Sequence, residues 1–168
     1  MQCMAFTCKS EIILRQLRTE VYIEDSSVTS PLEDHKFIAI WDTGATSTCI
    51  TKRLATRLGL KPTGICDNHT AGGHREAAVF FVNVFLPNHV LVPNIQVHDM
   101  EDNENNFDVL IGMDIISMGD FSISNYDNKT AFTFRLPSKR LTDYVYQENI
   151  ERAMGPKHGK GNKSKRNR

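Results

Sequence analysis

The segment KFIAIWDTGATSTCI, Lys36 to Ile50, is an apolar, strand-like run that stops at an acidic residue. The acid is Asp42, and the chain then turns through Thr43, Gly44 and Ala45. A buried charge costs free energy unless it is paired or neutralised, so a purely structural role would require compensating partners. Asp42 is therefore the residue whose presence most needs an explanation.

The composition of the 168 residues, 40% hydrophobic and 24% charged, fits one globular domain with a core and some poorly ordered sequence. The formal net charge is zero, but residues 155–168 carry six Lys or Arg and no acid, which leaves the rest of the chain mildly acidic. This tail has almost no apolar residues, so we expect it to be disordered. It predicts either a solubilising role, which we favour, or weak electrostatic contact with nucleic acid or an acidic partner.

The N-terminus does not have the pattern of a secretory signal, and no apolar run is long enough to span a bilayer. We therefore expect a cytoplasmic protein without a membrane partner. The four cysteines show no CxxC spacing, and in a reducing compartment they are expected to be free thiols. Cys66, Asp67, His69 and His74 form only a loose cluster in a turn-like segment, so we predict no metal site and no other cofactor.

Short alternating apolar runs dominate the chain and predict half-buried strands. Pro93 interrupts one run and predicts an edge or a bulge there. Another run is apolar on both faces, which fits either a central strand or two strands that meet at a bend. Asp127 and Asn128 predict a hairpin turn between the last two runs. The runs are TEVYIE, KFIAIWD, EAAVFFVNVFLP (the one apolar on both faces), HVLVPNIQVHDM, FDVLIG, FSISNY and TAFTFRLP.

Three segments have helical patterns. TKRLATRLGL has Thr51 as a candidate N-cap and Gly59 as a stop. MDIISMG predicts one or two turns capped by Asp114, and LTDYVYQENIERAMG predicts a C-terminal helix with an imperfect apolar stripe. Many strands and few helices indicate an all-β fold, either a barrel or a sandwich.

The residues around Asp42 suit a displayed functional group. Gly44 permits a sharp turn and a close approach to a neighbour, and the Thr43 hydroxyl can lock the loop by a hydrogen bond. One carboxylate is a weak hydrolytic catalyst, whereas two carboxylates in contact cannot both ionise. Their shared proton provides a base for a water molecule and an acid for the oxygen of the group that the water attacks.

DTGAT after an apolar strand resembles the active-site loop of aspartic proteases, and its single copy in a short chain is similar to the retroviral type, the retropepsins. The segment DVLIGMDII is similar to the second element of that family, in which aliphatic residues precede a glycine and a short helix. The resemblance implies that Leu110, Ile111 and Gly112 support the catalytic loop from behind, with the glycine where two backbones nearly touch. It also implies a closed β-barrel, the acid protease fold, with one or two short helices.

The resemblance further implies a flap, which is a hairpin that folds over the substrate, with Ala71, Gly72 and Gly73 at its tip. Gly-Gly between strands is also an ordinary turn signal, so an inert hairpin is the alternative. Ala45 and the flap tip are the predicted substrate-binding residues.

The resemblance divides the chain into an N-terminal extension at 1–18, a retropepsin-like domain at 19–138, a helical segment at 139–154 and the basic tail at 155–168. A helix after the active-site strand is typical of bacterial retropepsin-like proteins. Trp41 is a departure, because viral enzymes usually carry a smaller aliphatic residue before the acid, and we expect it to alter the pocket wall. The C-terminal helix and tail also depart from viral enzymes, so the viral dimer contacts are not transferred.

The chain contains no second Asp-Thr-Gly or Asp-Ser-Gly, so the mechanism requires a symmetric homodimer in which each copy supplies Asp42. The predicted function is an endopeptidase acting on an extended peptide or protein, with Asp42, Thr43 and Gly44 as the catalytic group. The alternative is a catalytically silent dimer of the same fold that binds peptides or scaffolds a partner. A phospho-aspartate loop of the ATPase kind is excluded, because it requires a lysine where this chain has Thr43.

Overall fold

A computed structural model of the protein describes residues 4–70, 73–87, 90–104 and 106–154. Within this part of the chain, ten strands, three α-helices and one short 3-10 helix follow one another. In chain order they are β1 (Ala5–Ser10), β2 (Leu17–Asp25), the 3-10 helix (Glu33–His35), β3 (Lys36–Trp41), β4 (Cys49–Thr51), α1 (Lys52–Arg57), β5 (Gly64–Thr70), β6 (Gly73–Leu86), β7 (Val90–Met100), β8 (Val109–Ile111), α2 (Met113–Ile116), β9 (Asp120–Tyr126), β10 (Lys129–Arg135) and α3 (Tyr144–Met154).

Six strands close into a barrel in the order β2-β3-β8-β4-β7-β6, and pairing of β2 with β6 completes the ring. The pairs β3–β8 and β4–β7 are parallel, while the other pairs are antiparallel. β5 continues the sheet outward from β6. Of the two predicted all-β architectures, the barrel is therefore confirmed.

The core lies inside the barrel because the strands alternate between buried and exposed side chains. In β2, Val21 and Ile23 are fully buried, as the alternation predicts. In β3, Phe37, Ala39 and Trp41 are buried, whereas the residues between them are more exposed. Asp42 therefore follows directly after a strand whose inward face is apolar throughout.

A separate three-stranded sheet, in the order β1-β10-β9, covers one side of the barrel. Phe6, Phe132 and Phe134 of this sheet are buried against Trp41, with ring centroids 5.2–6.0 Å from the indole. Phe121 stacks on the indole at 5.6 Å and an interplanar angle of 9°. Strand β1 lies within the predicted N-terminal extension, so that extension contains a strand that packs on the barrel. Its six residues had no alternation strong enough to predict it.

Trp41 is buried between the barrel and the three-stranded sheet, with 5% of its surface exposed. Its indole Nε1 donates a hydrogen bond to Thr19 Oγ1 at 3.0 Å, so the polar end of the ring is satisfied inside the core. Most of the Trp41 side chain therefore belongs to the core.

The interruption predicted at Pro93 is a β-bulge. The β6–β7 register shifts between Val82 and Val84, so that Pro93 and Asn94 together lie opposite Asn83. The Asn83 side chain accepts a hydrogen bond from Asn94 N at 2.7 Å. All of EAAVFFVNVFLP except its last residue, Pro87, belongs to one continuous strand, β6, and not to two strands that meet at a bend.

The predicted hairpin turn and the first predicted helix are confirmed. Asp127 and Asn128 both have positive φ, 53° and 58°, as a two-residue type I′ turn requires. Thr51 caps α1 by accepting a hydrogen bond from Leu54 N at 3.3 Å. Gly59 ends this segment with φ 61°, where a side chain would be strained.

The other two helices differ from expectation in detail. Gly112, and not Asp114, occupies the N-cap position of α2, because the Asp114 carboxylate bonds to a neighbouring loop instead. The predicted C-terminal helix forms, but it begins at Tyr144 and not at Leu141, and none of its residues is buried. Tyr144 and Val145 are 62% and 71% exposed, and Leu141, before the helix, is 90% exposed. Its apolar stripe therefore does not pack on the barrel. Among the described residues, no helix is both long enough and apolar enough to cross a membrane.

We predict that Asp120 makes stability depend on pH. Hydrogen bonds from the Ser138 hydroxyl and the Arg135 guanidinium, with a third from Lys139 N, hold the pKa of Asp120 well below its usual range. Because its pKa is depressed in the folded protein, the carboxylate stabilises the fold at pH values above the pKa that it has in the unfolded chain, about 3.9. This stabilisation is lost as the pH falls through the pKa of the folded state. Asp120→Asn should therefore lower the melting temperature at pH 7.

The measurement is thermal unfolding of the wild type and Asp120→Asn at a series of pH values from 7 to 2. The difference between their melting temperatures should shrink below about pH 4, where the wild-type carboxylate begins to lose its advantage. A difference that stays constant over the whole series would contradict the assignment.

Candidate active site

Asp42 is held at the end of β3 by the ladder that joins β3 to β8. Ile40 and Trp41 pair in parallel with Leu110 and Ile111, and Asp42 N then donates a hydrogen bond to Ile111 O at 2.9 Å. Ile111 is fully buried. The backbone position of Asp42 is therefore set by the barrel itself, and only its side chain belongs to the loop.

The loop after Asp42 turns back onto its own carboxylate. Gly44 N donates to Asp42 Oδ1 at 2.8 Å, and Ala45 N donates to Asp42 O at 3.2 Å. A Cβ atom on Gly44 would lie 3.1 Å from Asp42 Oδ1, which is tighter than normal contact. Glycine at this position therefore allows the backbone to approach the carboxylate closely without crowding.

Gly112 allows the backbone after β8 to lie directly against the loop. A Cβ atom there would lie 2.6 Å from the carbonyl carbon of Ser47 and 2.7 Å from its oxygen. Met113 N donates to Ala45 O at 2.8 Å across the same contact. This is the arrangement that the VLIG segment predicted, since two backbones nearly touch at the glycine.

A hydrogen-bond network that the sequence did not predict fixes the far end of the loop. Thr48 is fully buried, and its Oγ1 and N donate to the two carboxylate oxygens of Asp114 at 2.7 and 2.8 Å. Gly112 N donates to Thr48 Oγ1 at 3.2 Å. The predicted brace, Thr43, is exposed, so within one protomer Thr48 and Asp114 hold the loop. The sequence did contain one signal for this network, namely an acid, Asp114, two residues after the glycine of VLIG. The network was missed because Asp114 was interpreted as a helix cap.

Asp42 is half-buried in the protomer and not fully buried. Its carboxylate borders a pocket of about 460 Å³ that runs between the segment preceding β2 and the edge strand β9. Neither of these two walls was predicted from the sequence. The residues that line the pocket are Leu14, Arg15, Gln16, Leu17, Ile40, Trp41, Asp42, Thr43, Phe121, Ile123 and Asn125.

The predicted flap corresponds to the hairpin of β5 and β6. Thr70 pairs with Gly73, which has φ 115°, while Ala71 and Gly72 lie outside the described residues. The Arg75 guanidinium lies 3.0 Å from Asp99 Oδ1 of β7 and also contacts Glu101, which follows β7. These ion pairs attach the hairpin to the barrel only two residues from Gly73, close to the tip of the hairpin.

The Cys49 thiol, which follows the loop, is not an activated nucleophile. Burial, with a smaller effect of Asp114, raises the pKa of the Cys49 thiol to about 11, so this cysteine is protonated at neutral pH and a poor nucleophile. His74 Nδ1 lies 3.5 Å from Asp67 Oδ2 in an exposed pair. In the described part of the chain, no three His, Cys, Asp or Glu side chains are grouped as metal ligands would be.

We predict that Gly112→Ala disrupts the loop. The added methyl group would overlap the Ser47 backbone, and overpacking of this kind costs about 1–3 kcal/mol of unfolding free energy. Gly64→Ala is the matched control, because its Cβ would meet nothing within 4 Å, and its effect should stay within about 0.5 kcal/mol. Equal losses for the two variants in denaturant unfolding would contradict the role of Gly112.

The chain is similar to several proteins of known structure. A retropepsin-like aspartic protease from Rickettsia conorii is similar with a TM-score of 0.51 and 20% identity, over 79% of this chain and 93% of that chain. The simian foamy virus (mac) protease has a TM-score of 0.42 and 18% identity, over 60% of this chain and 92% of that chain. The retroviral protease-like domain of Ddi1 from Leishmania major has a TM-score of 0.41 and 20% identity, over 73% and 96%.

No curated protein sequence matches this chain. The family model described as gag-polyprotein putative aspartyl protease matches residues 28–118, which is more than half of the chain and contains both the Asp42 loop and the VLIG segment. The likeness to the Rickettsia protein shows the retropepsin-like fold, as the two sequence elements predicted. The chain therefore belongs to the gag-polyprotein aspartyl protease family of retropepsin-like proteins.

Proposed function

We propose that the protein is an aspartic endopeptidase in which two Asp42 carboxylates, one from each copy of a homodimer, activate water to hydrolyse a peptide bond. The observation that carries this proposal is the way Asp42 is held. Its backbone is fixed by Ile111, Oδ1 accepts from Gly44 N, and the carboxylate borders a pocket. Among the described contacts, Oδ2 accepts no hydrogen bond, so it is available to a proton or a water molecule.

The chemistry requires the two carboxylates to share one proton, because like charges in contact cannot both ionise. The ionised carboxylate takes a proton from the water while the protonated one donates to the carbonyl oxygen of the substrate. The water oxygen attacks the carbonyl carbon, and the amide nitrogen leaves with a proton that the pair returns. No covalent intermediate, metal or cofactor takes part in this proposal.

The substrate in this proposal is an extended peptide or protein segment bound by strand-like backbone pairing. Ala45 at the loop and Gly73 at the flap are the described residues that we assign to the substrate, together with Ala71 and Gly72. The hairpin closes over the peptide and excludes water from the reacting bond. We place the protein in the cytoplasm as part of the same proposal, because Cys8, Cys49 and Cys66 are free thiols, as is usual in a reducing compartment.

Asp42→Asn should abolish cleavage of a diverse peptide library without unfolding the protein. The amide keeps the size of the side chain and can still accept from Gly44 N, but it cannot share a proton with its mate. We expect a loss of at least about 100-fold in kcat/KM, the lower range for removing acid–base catalysis.

Asp34→Asn is the matched control, because it makes the same chemical change at an exposed position on the 3-10 helix. It should cleave at the wild-type rate. Cleavage by Asp42→Asn at that same rate would mean that a contaminant or another site is responsible. Absence of cleavage by the wild type, at concentrations where it is dimeric, would favour the silent peptide-binding dimer.

The pH dependence of cleavage provides an independent check. Activity should be high at acidic to near-neutral pH and should fall as pH rises, because the pair stops working when its shared proton is lost. The measurement is kcat/KM for one cleaved peptide between pH 3 and pH 9. Activity that instead rises steadily to pH 9 would be inconsistent with a shared proton and would indicate a different base.

A further inference from the structure

The three-stranded sheet has two outer edges, and the edge formed by β9 lies beside Asp42. Side chains alternate along a strand, so Phe121, Ile123 and Asn125 share one face of β9. All three line the pocket that Asp42 borders. The opposite face of β9 carries Ser122 and Ser124. The apolar face of this edge is thus continuous with the candidate active site.

The burial of that face decreases from the middle of the sheet towards β9. Phe132 and Phe134 of β10 are 1% and 0% exposed. Their partners on β9 are Ile123, which is 44% exposed, and Phe121, which is half-buried. At the other edge of the sheet, Phe6 of β1 is only 5% exposed. The protomer therefore covers its own apolar surface at β1 and leaves it uncovered at β9.

The segment before β2 extends this uncovered surface. Leu14 N donates to Thr130 Oγ1 at 2.9 Å, and Thr130 N donates to Ile12 O at 3.2 Å, so the segment is fixed against β10. Ile12 and Ile13 are 65% and 46% exposed, and Leu14 lines the pocket opposite Ile123. Exposed apolar side chains thus lie on both sides of the pocket.

The edge of β9 also lacks the features with which proteins prevent edge strands from pairing. From Phe121 to Tyr126 the strand contains no charged residue and no proline. The one charged residue of β9, Asp120, is paired with Arg135. An uncharged edge strand beside an apolar face is a template for another strand.

A two-fold axis that is perpendicular to a sheet and passes beside its edge strand places the same strand of a second copy antiparallel to the first. Antiparallel strands in this position can form hydrogen bonds with each other. The proposed function, on which this step depends, requires such an axis close to Asp42. We propose that β9 pairs antiparallel with β9 of a second copy of this chain, joining the two three-stranded sheets into one six-stranded sheet. The second copy covers Ile123 and brings its own Asp42 to the axis.

Ile123→Lys tests this surface in the otherwise native chain. It places two ammonium groups near the axis, and like charges brought together in this way should raise the dimer dissociation constant by about 100-fold or more. Ile65→Lys is the matched control, because Ile65 is also an exposed isoleucine on an edge strand, β5, with 74% of its surface exposed. Sedimentation equilibrium should give the wild-type mass for Ile65→Lys. A wild type that is monomeric at all concentrations, or an unchanged dissociation constant for Ile123→Lys, would overturn the proposal.

Cross-linking identifies the pairing strand directly. In a chain whose four native cysteines are replaced by serine, single cysteines are introduced by Ser122→Cys, Ile123→Cys and Ser124→Cys. At least one should form a disulfide-linked dimer on mild oxidation, because residues opposite each other in a strand pair are within disulfide reach. Thr7→Cys, on the exposed face of β1, should stay monomeric on a denaturing gel. Linkage through Thr7 alone would assign the interface to β1 and overturn the assignment to β9.

The two proposals fail in distinguishable ways, because cross-linking does not require catalysis and can be repeated with Asp42→Asn. Dimers linked through β9 in a protein that cleaves no peptide would support the proposed interface and contradict the proposed endopeptidase activity. The opposite result has three parts: peptide cleavage is abolished by Asp42→Asn, no cross-link forms at β9, and Ile123→Lys dimerises as the wild type does. This result would support the endopeptidase and contradict the β9 interface.

Discussion

The contact between the backbones of Gly112 and Ser47 is the constraint on which the rest of the site depends. It exists only because position 112 has no side chain, since a Cβ atom would lie 2.6 Å from the Ser47 carbonyl carbon. The contact places β8 directly behind the loop, so that Ile111 O can accept from Asp42 N. A loop that displays a carboxylate thereby acquires the rigidity of the barrel, which a solvent-exposed turn would lack.

The position of Asp42 at the end of an apolar strand has a different explanation in the monomer and in the proposed dimer. In the protomer the carboxylate is half-buried and accepts from Gly44 N, so its charge remains partly hydrated and the cost of desolvation is modest. The Asp42 carboxylate would become more fully buried only when the second copy binds. That copy also brings the second Asp42 carboxylate, and the proton shared by the two makes their burial tolerable. Charge burial and assembly of the site would therefore be the same event, and an unpaired protomer would not carry the full cost.

Local patterns in the sequence were sufficient for the elements whose signals lie within a few residues. The Thr51 cap, the Asp127-Asn128 turn and the bulge at Pro93 depend on backbone chemistry that those residues determine by themselves. Apart from the close backbone contact at Gly112, which the family resemblance implied, features that depend on distant partners were missed. β1 is a strand because β10, 120 to 130 positions away, pairs with it. Asp114 was assigned to a cap because its true partner, Thr48, is 66 positions away. Alternation and spacing contain no information about which distant segment will be the partner.

Trp41 connects the Asp42 loop to the edge strand β9. It precedes Asp42 on β3, and its indole is anchored at one end by Thr19 and stacked on Phe121 of β9 at 5.6 Å. A smaller aliphatic residue could fill space here, but it could not span the distance from β3 to the edge strand β9 with a rigid plane. The residue in which this chain departs from the viral pattern thus fixes β9 relative to Asp42. If β9 meets its mate at the two-fold axis, the same ring sets how far each carboxylate lies from that axis.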